Sequence, residues 1–570
     1  MLTVFFSWLI IGAAAFIFGK AIVDGICRKD IQRMGKPDIY IVTGIAFLNI
    51  YAQLFSVFYK VAGIACTILG AIGLLLVIVY GAGCFRAGKR PVLLPGIKME
   101  RSKAALCRAV LLFLSLLSML LWTAQDPGQY DTGLYHAQAI RWIEEYGVVP
   151  GLGNLHMRFA YNSAFMCLQA LFSLEWLVGQ SLHTMNGFLC LCALFYAFGT
   201  VHVPGKEKWQ TSDLLKCVTV VYVVKSRYSI ASPGTDLWAM LLILYICTKW
   251  CELTERGEQE TAPWCYVCLV GFYALTVKLS AAAIVILVLY PLYLLIREKK
   301  FLSIAGNGIL AVIIVIPYLI RNVIISGYLV YPYAGIDLFS VDWKMNPEVL
   351  LEDSKYNLTM WARGFTDVAG YAERYEGTLF AWMPHWFMSQ SVGYRILLMV
   401  GAACAVAVLI MIGKQIARRN YVYMAILAAG EVCLVFWLMT APLIRYGQVY
   451  VFIIIALALG GWEGRYALLK KDILSMAGVL VMLVSLLFFG SKFLEVGDME
   501  PGWLLEQRPY GAWPAEQVQV ENVTIWEPTE GDLIGYPAFP STPQGGQLDH
   551  LKLRGEGFED GFRYVEEPQR

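Results

Sequence analysis

The chain has 570 residues, 58% apolar and 15% charged, with a formal net charge of +2. Soluble globular proteins run at roughly 45–50% apolar and about 25% charged. This composition excludes a soluble enzyme, a disordered scaffold and a nucleic-acid binder.

Mean hydropathy is +0.58. Apolar runs near 20 residues recur, each long enough to cross about 30 Å of hydrocarbon as a helix. They predict an all-α polytopic membrane protein. Barrel strands read instead as about ten alternating residues.

Met1–Phe18 carries no Lys or Arg ahead of its apolar run. A cleaved signal peptide starts basic, so this reads as a retained first span. Lys20, Arg28, Lys29, Arg33 and Lys36 follow, and the positive-inside rule puts their loop in the cytoplasm. Spans near 39–59 and 62–84 lead to a second basic loop, Arg86 to Lys103. A span near 104–124 then places Asp126–Asn162 outside. Segment 163–178 is apolar but short and holds Glu175. Reading it as an interfacial helix keeps the Lys206, Lys208 and Lys216 loop inside. Later spans fall near 184–203, 213–230, 233–250, 263–278, 280–296, 302–320, 393–412, 421–440, 446–462 and 472–490. They bring the basic loops Arg297–Lys300, Lys414–Arg419 and Arg465–Lys471 inside as well.

The expectation is a bundle of about fourteen spans in three parts. Residues 1–103 form N-terminal helices. Residues 104–490 form the main module, with outer loops 125–183 and 321–390 carrying juxtamembrane helices. Residues 491–570 form a small extracytoplasmic tail or domain, polar and rich in Gly and Pro. The 14 cysteines lie almost wholly in apolar runs or beside basic loops, which argues against a disulfide framework. Cys265 and Cys268 have CxxC spacing at the start of an apolar run and read as small core residues.

Away from the basic inner loops, charges near membrane level gather on the outer side. They are Asp126, Asp131, His136, Arg141, Arg158, Lys225, Arg227, Asp236, Lys278, Arg321 and Arg445. Ionisable groups at this depth face a cavity or a partner. Outer ends are where the positive-inside rule predicts few cations. Lys225, Lys278, Arg321 and Arg445 capping spans there suit an anionic lipid headgroup. Asp131 and Asp236 each sit just before a helix, where a helix N-cap is the competing reading. The aromatics of loop 321–390, among them Tyr328, Tyr331, Trp361, Trp382 and Trp386, suit sugar faces or an interfacial belt.

Asp131 with Tyr135, early in the first long outer loop, resembles the Asp-containing first-loop motif of GT-C membrane glycosyltransferases. That superfamily includes protein O-mannosyltransferases and the aminoarabinose transferase of lipid A. The pieces Leu-Tyr-His (134–136), Ile-Arg-Trp (140–142), Val-Pro-Gly-Leu-Gly-Asn-Leu-His (149–156) and Tyr-Asn-Ser (161–163) are similar to bacterial GT-C-like membrane proteins. Ser232-Pro-x-x-Asp236, Lys278, Arg321-Asn322 and Arg445-Tyr446 also fall where such proteins carry polar residues. The resemblance covers most of 104–462. It departs from many members in having Asp131-Thr132 where an acidic pair is common.

The resemblance implies an inverting transfer, in the bacterial plasma membrane and at its outer face, from a polyprenyl-phosphate sugar to a glycan, lipid or protein acceptor. Asp131 would be the base, since an attacking hydroxyl needs a carboxylate beside it. Lys278, Arg321 and Arg445 would hold the donor phosphate. Tyr135, His136, Asp236 and Tyr446 would line the substrate site, with Asp236 orienting the acceptor or contacting a divalent metal such as Mg or Mn. A transporter or flippase for polyprenyl-linked glycans would also need outer cations, but should show matching halves with broken helices. A polysaccharide polymerase would have an Arg-rich outer loop, whereas 321–390 mixes both signs.

Overall fold

The computed structural model describes residues 1–25, 31, 37–86, 103–202, 209–375, 377–461, 478, 480, 481, 483–491, 501–543 and 548–566. Among them nine helices are long and apolar enough to cross a membrane: Leu2–Gly25, Pro37–Phe58, Gly63–Arg86, Ala105–Thr123, Asp236–Glu255, Leu279–Arg297, Phe301–Ser326, Val392–Ala417 and Tyr421–Thr440. Met185–Thr200, Thr261–Val277 and Ile444–Gly460 are shorter apolar helices packed among them. The chain is a helical, multi-pass membrane protein. Most of the basic residues used to orient it, Arg28–Lys36, Lys89–Arg101, Lys206, Lys208 and Arg465–Lys471, lie outside the described residues, as does the start of the expected last span at 472–477.

Segment 163–178 does not cross. It forms Ala164–Leu171 and Glu175–Val178, broken where Leu174 takes a φ of +53°. Eight residues rise about 12 Å, well short of the hydrocarbon. Every residue of Ala164–Leu171 is buried in protein, against Pro37–Phe58. Ser163 anchors that helix by accepting from Phe165 N–H at 3.1 Å and donating to the Val277 carbonyl at 2.7 Å.

The first two spans cross backbone to backbone. A Cβ on Gly19 would lie 1.8 Å from the Tyr40 carbonyl oxygen, and one on Gly44 would lie 1.8 Å from that of Ala15. Small residues permit such close approach where no hydrophobic force drives helices together. The Asp236–Glu255 helix is the innermost span, with 89% of its apolar window buried. Lys249 near its far end pairs with Asp38 at 2.7 Å and Glu252 at 3.2 Å. Lys216 reaches Glu252 at 3.0 Å, and His202 reaches Asp213 at 2.8 Å. This buried network ties three helices together about 20 Å from Asp236, at 1.5 Å of rise per residue.

The tail departs from an all-α chain. Ala515–Val520 pairs antiparallel with Val523–Pro528, and Leu551–Leu553 with Phe562–Tyr564. The alternation of Val518, Val520, Val523 and Ile525 about a tight turn has the period of two that a hairpin requires. The tail packs on the first long loop. Arg508 N–H donates to the Ala124 carbonyl at 3.1 Å, and Phe562 N–H to that of Pro150 at 2.9 Å. The Met1 amino group donates to the Trp503 carbonyl at 2.8 Å. The chain start, the first long loop and the tail therefore share one face.

Two outcomes follow. A reporter fused after Lys103 should read cytoplasmic and one after Gly490 extracytoplasmic, because the loop charges orient the shared face outward; a tail that reads cytoplasmic would invert the assignment. Lys249→Met should destabilise the protein by roughly 3–5 kcal/mol, since it strips the cation from buried carboxylates. Thermal unfolding in detergent measures this, and an unchanged midpoint would show the network to be idle.

Candidate functional site

Four chain segments end at one point on the shared face. They are the turn Thr132–His136, the start of Asp236–Glu255, the end of Thr261–Val277 and the start of Ile444–Gly460. Lys278 terminates the third by turning into an extended conformation, φ −157° and ψ 131°. That breaks the helix and turns the ammonium toward Asp236, with which it forms an ion pair. Arg445 pairs with Asp131 at 2.6 Å and lies 3.7 Å from Asp236. Its guanidinium also donates to the Tyr446 hydroxyl at 2.9 Å. Lys278 Nζ sits 3.9 Å from the centroid of the Tyr446 ring, a cation–π contact.

Neither aspartate caps its helix. Asp131 is in the right-handed helical region and makes no side-chain cap bond. Thr235, not Asp236, occupies the N-cap of its helix. Both carboxylates are committed to cations, which removes the N-cap reading. The two cations and two aspartates balance, so the cluster is neutral as it stands and not a cationic patch.

The turn that carries Tyr135 and His136 is a π-turn. Ala137 N–H donates to the Thr132 carbonyl, five residues back, and such turns recur at functional sites. Tyr135 and His136 rings lie 4.2 Å apart, and Arg158 sits 5.9 Å over Tyr135. Burial pushes the Tyr135 hydroxyl well above its ordinary range. Burial also lowers the His136 pKa to about 4, against the pull of Asp131 and Asp236. Among the described residues His136 Nδ1 is buried without a hydrogen-bond partner. At neutral pH His136 is an uncharged imidazole beside the ion pairs.

Seven sequence-derived candidates thus meet: Asp131, Tyr135, His136, Asp236, Lys278, Arg445 and Tyr446. Arg321 does not join them. The Phe301–Ser326 helix runs past it to Gly327, so Arg321 is a buried helix residue and not the start of a loop. Its guanidinium donates to Ser56 Oγ at 2.5 Å and Asn162 Oδ1 at 3.2 Å. It lines a cavity of about 20 Å³, room for one water. The expected grouping of Arg321 with Lys278 and Arg445 is therefore not seen. Lys225 is also apart, held by Gln448 at 2.6 Å over the Tyr394 ring.

Most loop aromatics pack on one another. Trp382 and Trp386 are buried edge to face, and Trp386 Nε1 donates to the Pro442 carbonyl at 2.9 Å. Tyr333 and Phe380 are exposed, and Trp361 is half-exposed with Arg445 5.9 Å from its ring centroid. Sequence reasoning passed over Asn186 and Gln129. The Asn186 amide donates to the carbonyls of Ser232 and Gly234 at 2.7 and 2.8 Å. Gln129 N–H donates to Ser232 Oγ at 3.1 Å. Together they bind the two aspartate-bearing turns. The available signal was an Asn opening an apolar run, since a buried amide needs partners. It passed over Asp353 too, buried, with Tyr331 donating to it at 2.9 Å and Tyr161 bonded to it as well.

A divalent metal does not fit this arrangement. Among the described residues no three His, Cys, Asp or Glu side chains converge for one. Both site aspartates already neutralise cations.

A family model described as "Domain of unknown function (DUF8201)" matches residues 1–452. No curated protein and no solved structure matches the chain.

The buried neutral His136 makes stability depend on pH. Its folded pKa of about 4 lies below the ordinary 6.5. The unfolded chain therefore binds the extra proton first as pH falls. The stabilisation is complete above 6.5 and is lost as pH drops toward 4, up to about 3 kcal/mol. His136→Gln should flatten the melting midpoint across that window. A parallel slope in wild type and variant would place the titration elsewhere.

Proposed function

We propose that this chain, a member of the DUF8201 family, is a membrane glycosyltransferase with about fourteen spans. It moves a sugar from a polyprenyl-phosphate donor to a cell-envelope glycan, lipid or protein, with inversion, at the outer face of a bacterial plasma membrane. The observation that carries this reading is the meeting of Asp131, Asp236, Lys278 and Arg445 at the ends of helices on one face. A lipid-borne phosphate arrives at that depth, where a fixed pair of cations can meet it.

In this mechanism the donor phosphate takes the place of the carboxylates as partner to Arg445 and Lys278. Arg445 offers a fork of N–H donors and Lys278 a point charge. The exchange frees an oxygen of Asp131. The acceptor hydroxyl then attacks the anomeric carbon, and its proton passes to Asp131. The bond from that carbon to the phosphate oxygen breaks, and the phosphate leaves with the electron pair. The two cations hold the charge that grows on the phosphate. Phosphate is a good leaving group, so a neutral His136 does not have to protonate it. Tyr135, Tyr446 and Trp361 give the sugar apolar faces.

Asp131→Asn keeps the side-chain volume and cannot take the proton. Glycosyl transfer by the purified, folded variant should fall by about two to four orders of magnitude. Asp126→Asn is the control. Asp126 is exposed and only 3.6 Å from Arg508, so its loss should leave turnover near wild type. Normal transfer by Asp131→Asn would sink the assignment of the base. Transfer unaffected by either change or by Asp236→Asn would sink the enzymatic reading.

A further inference from the structure

Residues after 500 lie wholly outside the part of the chain that the family model matches. They read as an appended domain, yet two separate two-stranded sheets give little independent stability. Their apolar side chains are spent on another part of the chain. Trp142 is wholly buried, with Phe539, Phe558 and Phe562 at ring distances of 5.0, 5.6 and 6.0 Å.

The polar contacts fall on the same short helix, Ala137–Glu145. The buried Gln138 amide donates to the carbonyls of Gly535 and Ala538 at 2.9 and 2.7 Å, and its oxygen accepts from Ser541 N–H at 3.3 Å. Arg141 donates to the Tyr536 carbonyl at 2.8 Å and lies 4.7 Å over the Phe539 ring. Glu144 accepts from Tyr536 at 2.7 Å and pairs with His183 at 2.8 Å. That helix continues directly from the π-turn of the site. The tail grips the turn itself. Ile534 and Gly535 N–H both donate to the Gly133 carbonyl, at 3.0 and 2.8 Å. Tyr130 bonds Asp532 beside it. A Cβ on Gly133 would sit 3.2 Å from Trp513 and 3.4 Å from Leu533, so the tail packs tightly on this residue.

We propose that the C-terminal segment is a working part of the site: a clamp whose Ile534 and Gly535 amides and Gln138 contacts hold the turn bearing Asp131, Tyr135 and His136 in register with Arg445. Its role in turnover rests on the glycosyltransferase reading; its role in holding the turn does not. The geometry explains the turn. In an α-helix the Ala137 N–H would satisfy Gly133. Here it satisfies Thr132, and Gly133 receives two donors from the tail. Ile534, Gly535 and Gln138 are positioning residues, because none touches the ion pairs.

The test uses the full chain. Gly535→Val sets a side chain where a Cβ would meet Trp513 at 2.6 Å, on a residue with φ of +67°. Gln138→Met is the milder variant and keeps the volume. Hydrogen exchange is followed at amides 131–146, with 236–255 as the internal reference, together with kcat and donor KM. Both variants should exchange at least about tenfold faster over 131–146, with the reference unchanged. Turnover should fall through kcat more than through KM. Faster exchange confined to 530–541, with 131–146 still protected, would overturn the clamp. Unchanged exchange in both variants would overturn it too. Loosening of 131–146 in a protein whose wild type transfers no sugar would uphold the clamp and remove the glycosyltransferase reading.

Discussion

Arg445 holds one end of the helix bundle together. It pairs with Asp131 from the first long loop and lies against Asp236 at the start of the innermost helix. Asp236 in turn holds Lys278, which sits where one apolar helix breaks before the next begins. Four distant parts of the chain are thereby fixed to one another through charges. Taking such charges out of water is costly, and each is tolerable only because the others are present. Removing any one takes a partner from a partly buried charge. That constraint fits the irregular backbone ahead of Asp236 and the break at Lys278.

The Asp236–Glu255 helix carries charge at both ends. Its far end belongs to the Lys216, Lys249, Glu252 and Asp38 network. The expectation that polar residues gather on one face holds only for the outer group. The far-end network, with each lysine paired to a carboxylate, anchors helices and borders a cavity of about 340 Å³ lined by His202, Lys216, Glu252 and Arg256. At the opposite end of the helix Arg445 lies 5.9 Å from the half-exposed Trp361 ring.

The tail adds a second layer of support behind the same turn. Aromatic burial around Trp142 supplies its adhesion, and the paired amides at Gly133 supply its registration. The tail donors occupy the Gly133 carbonyl that an α-helical Ala137 N–H would otherwise reach. The beginning of the chain joins this layer as well, through the Met1 amino group and the Trp503 carbonyl.

The sequence by itself determined the solvent the protein lives in, the helical character of its spans and most of the polar residues that meet. Long apolar runs and unpaired charges at their ends are local signals, and Asp131, Asp236, Lys278 and Arg445 were legible from them. It could not determine which charge meets which. Arg321 and Arg445 look alike as cations near span ends, and only the packed bundle separates them. One lies inside a helix that runs on to Gly327, facing Ser56 and Asn162; the other lies between two aspartates. The tail shows the same limit. Its hairpin alternation is local, but its docking on Gly133, Gln138 and Trp142 joins residues some 400 positions apart. Periodicity and composition carry no information about such pairings, which are fixed only when every buried polar group has found its partner.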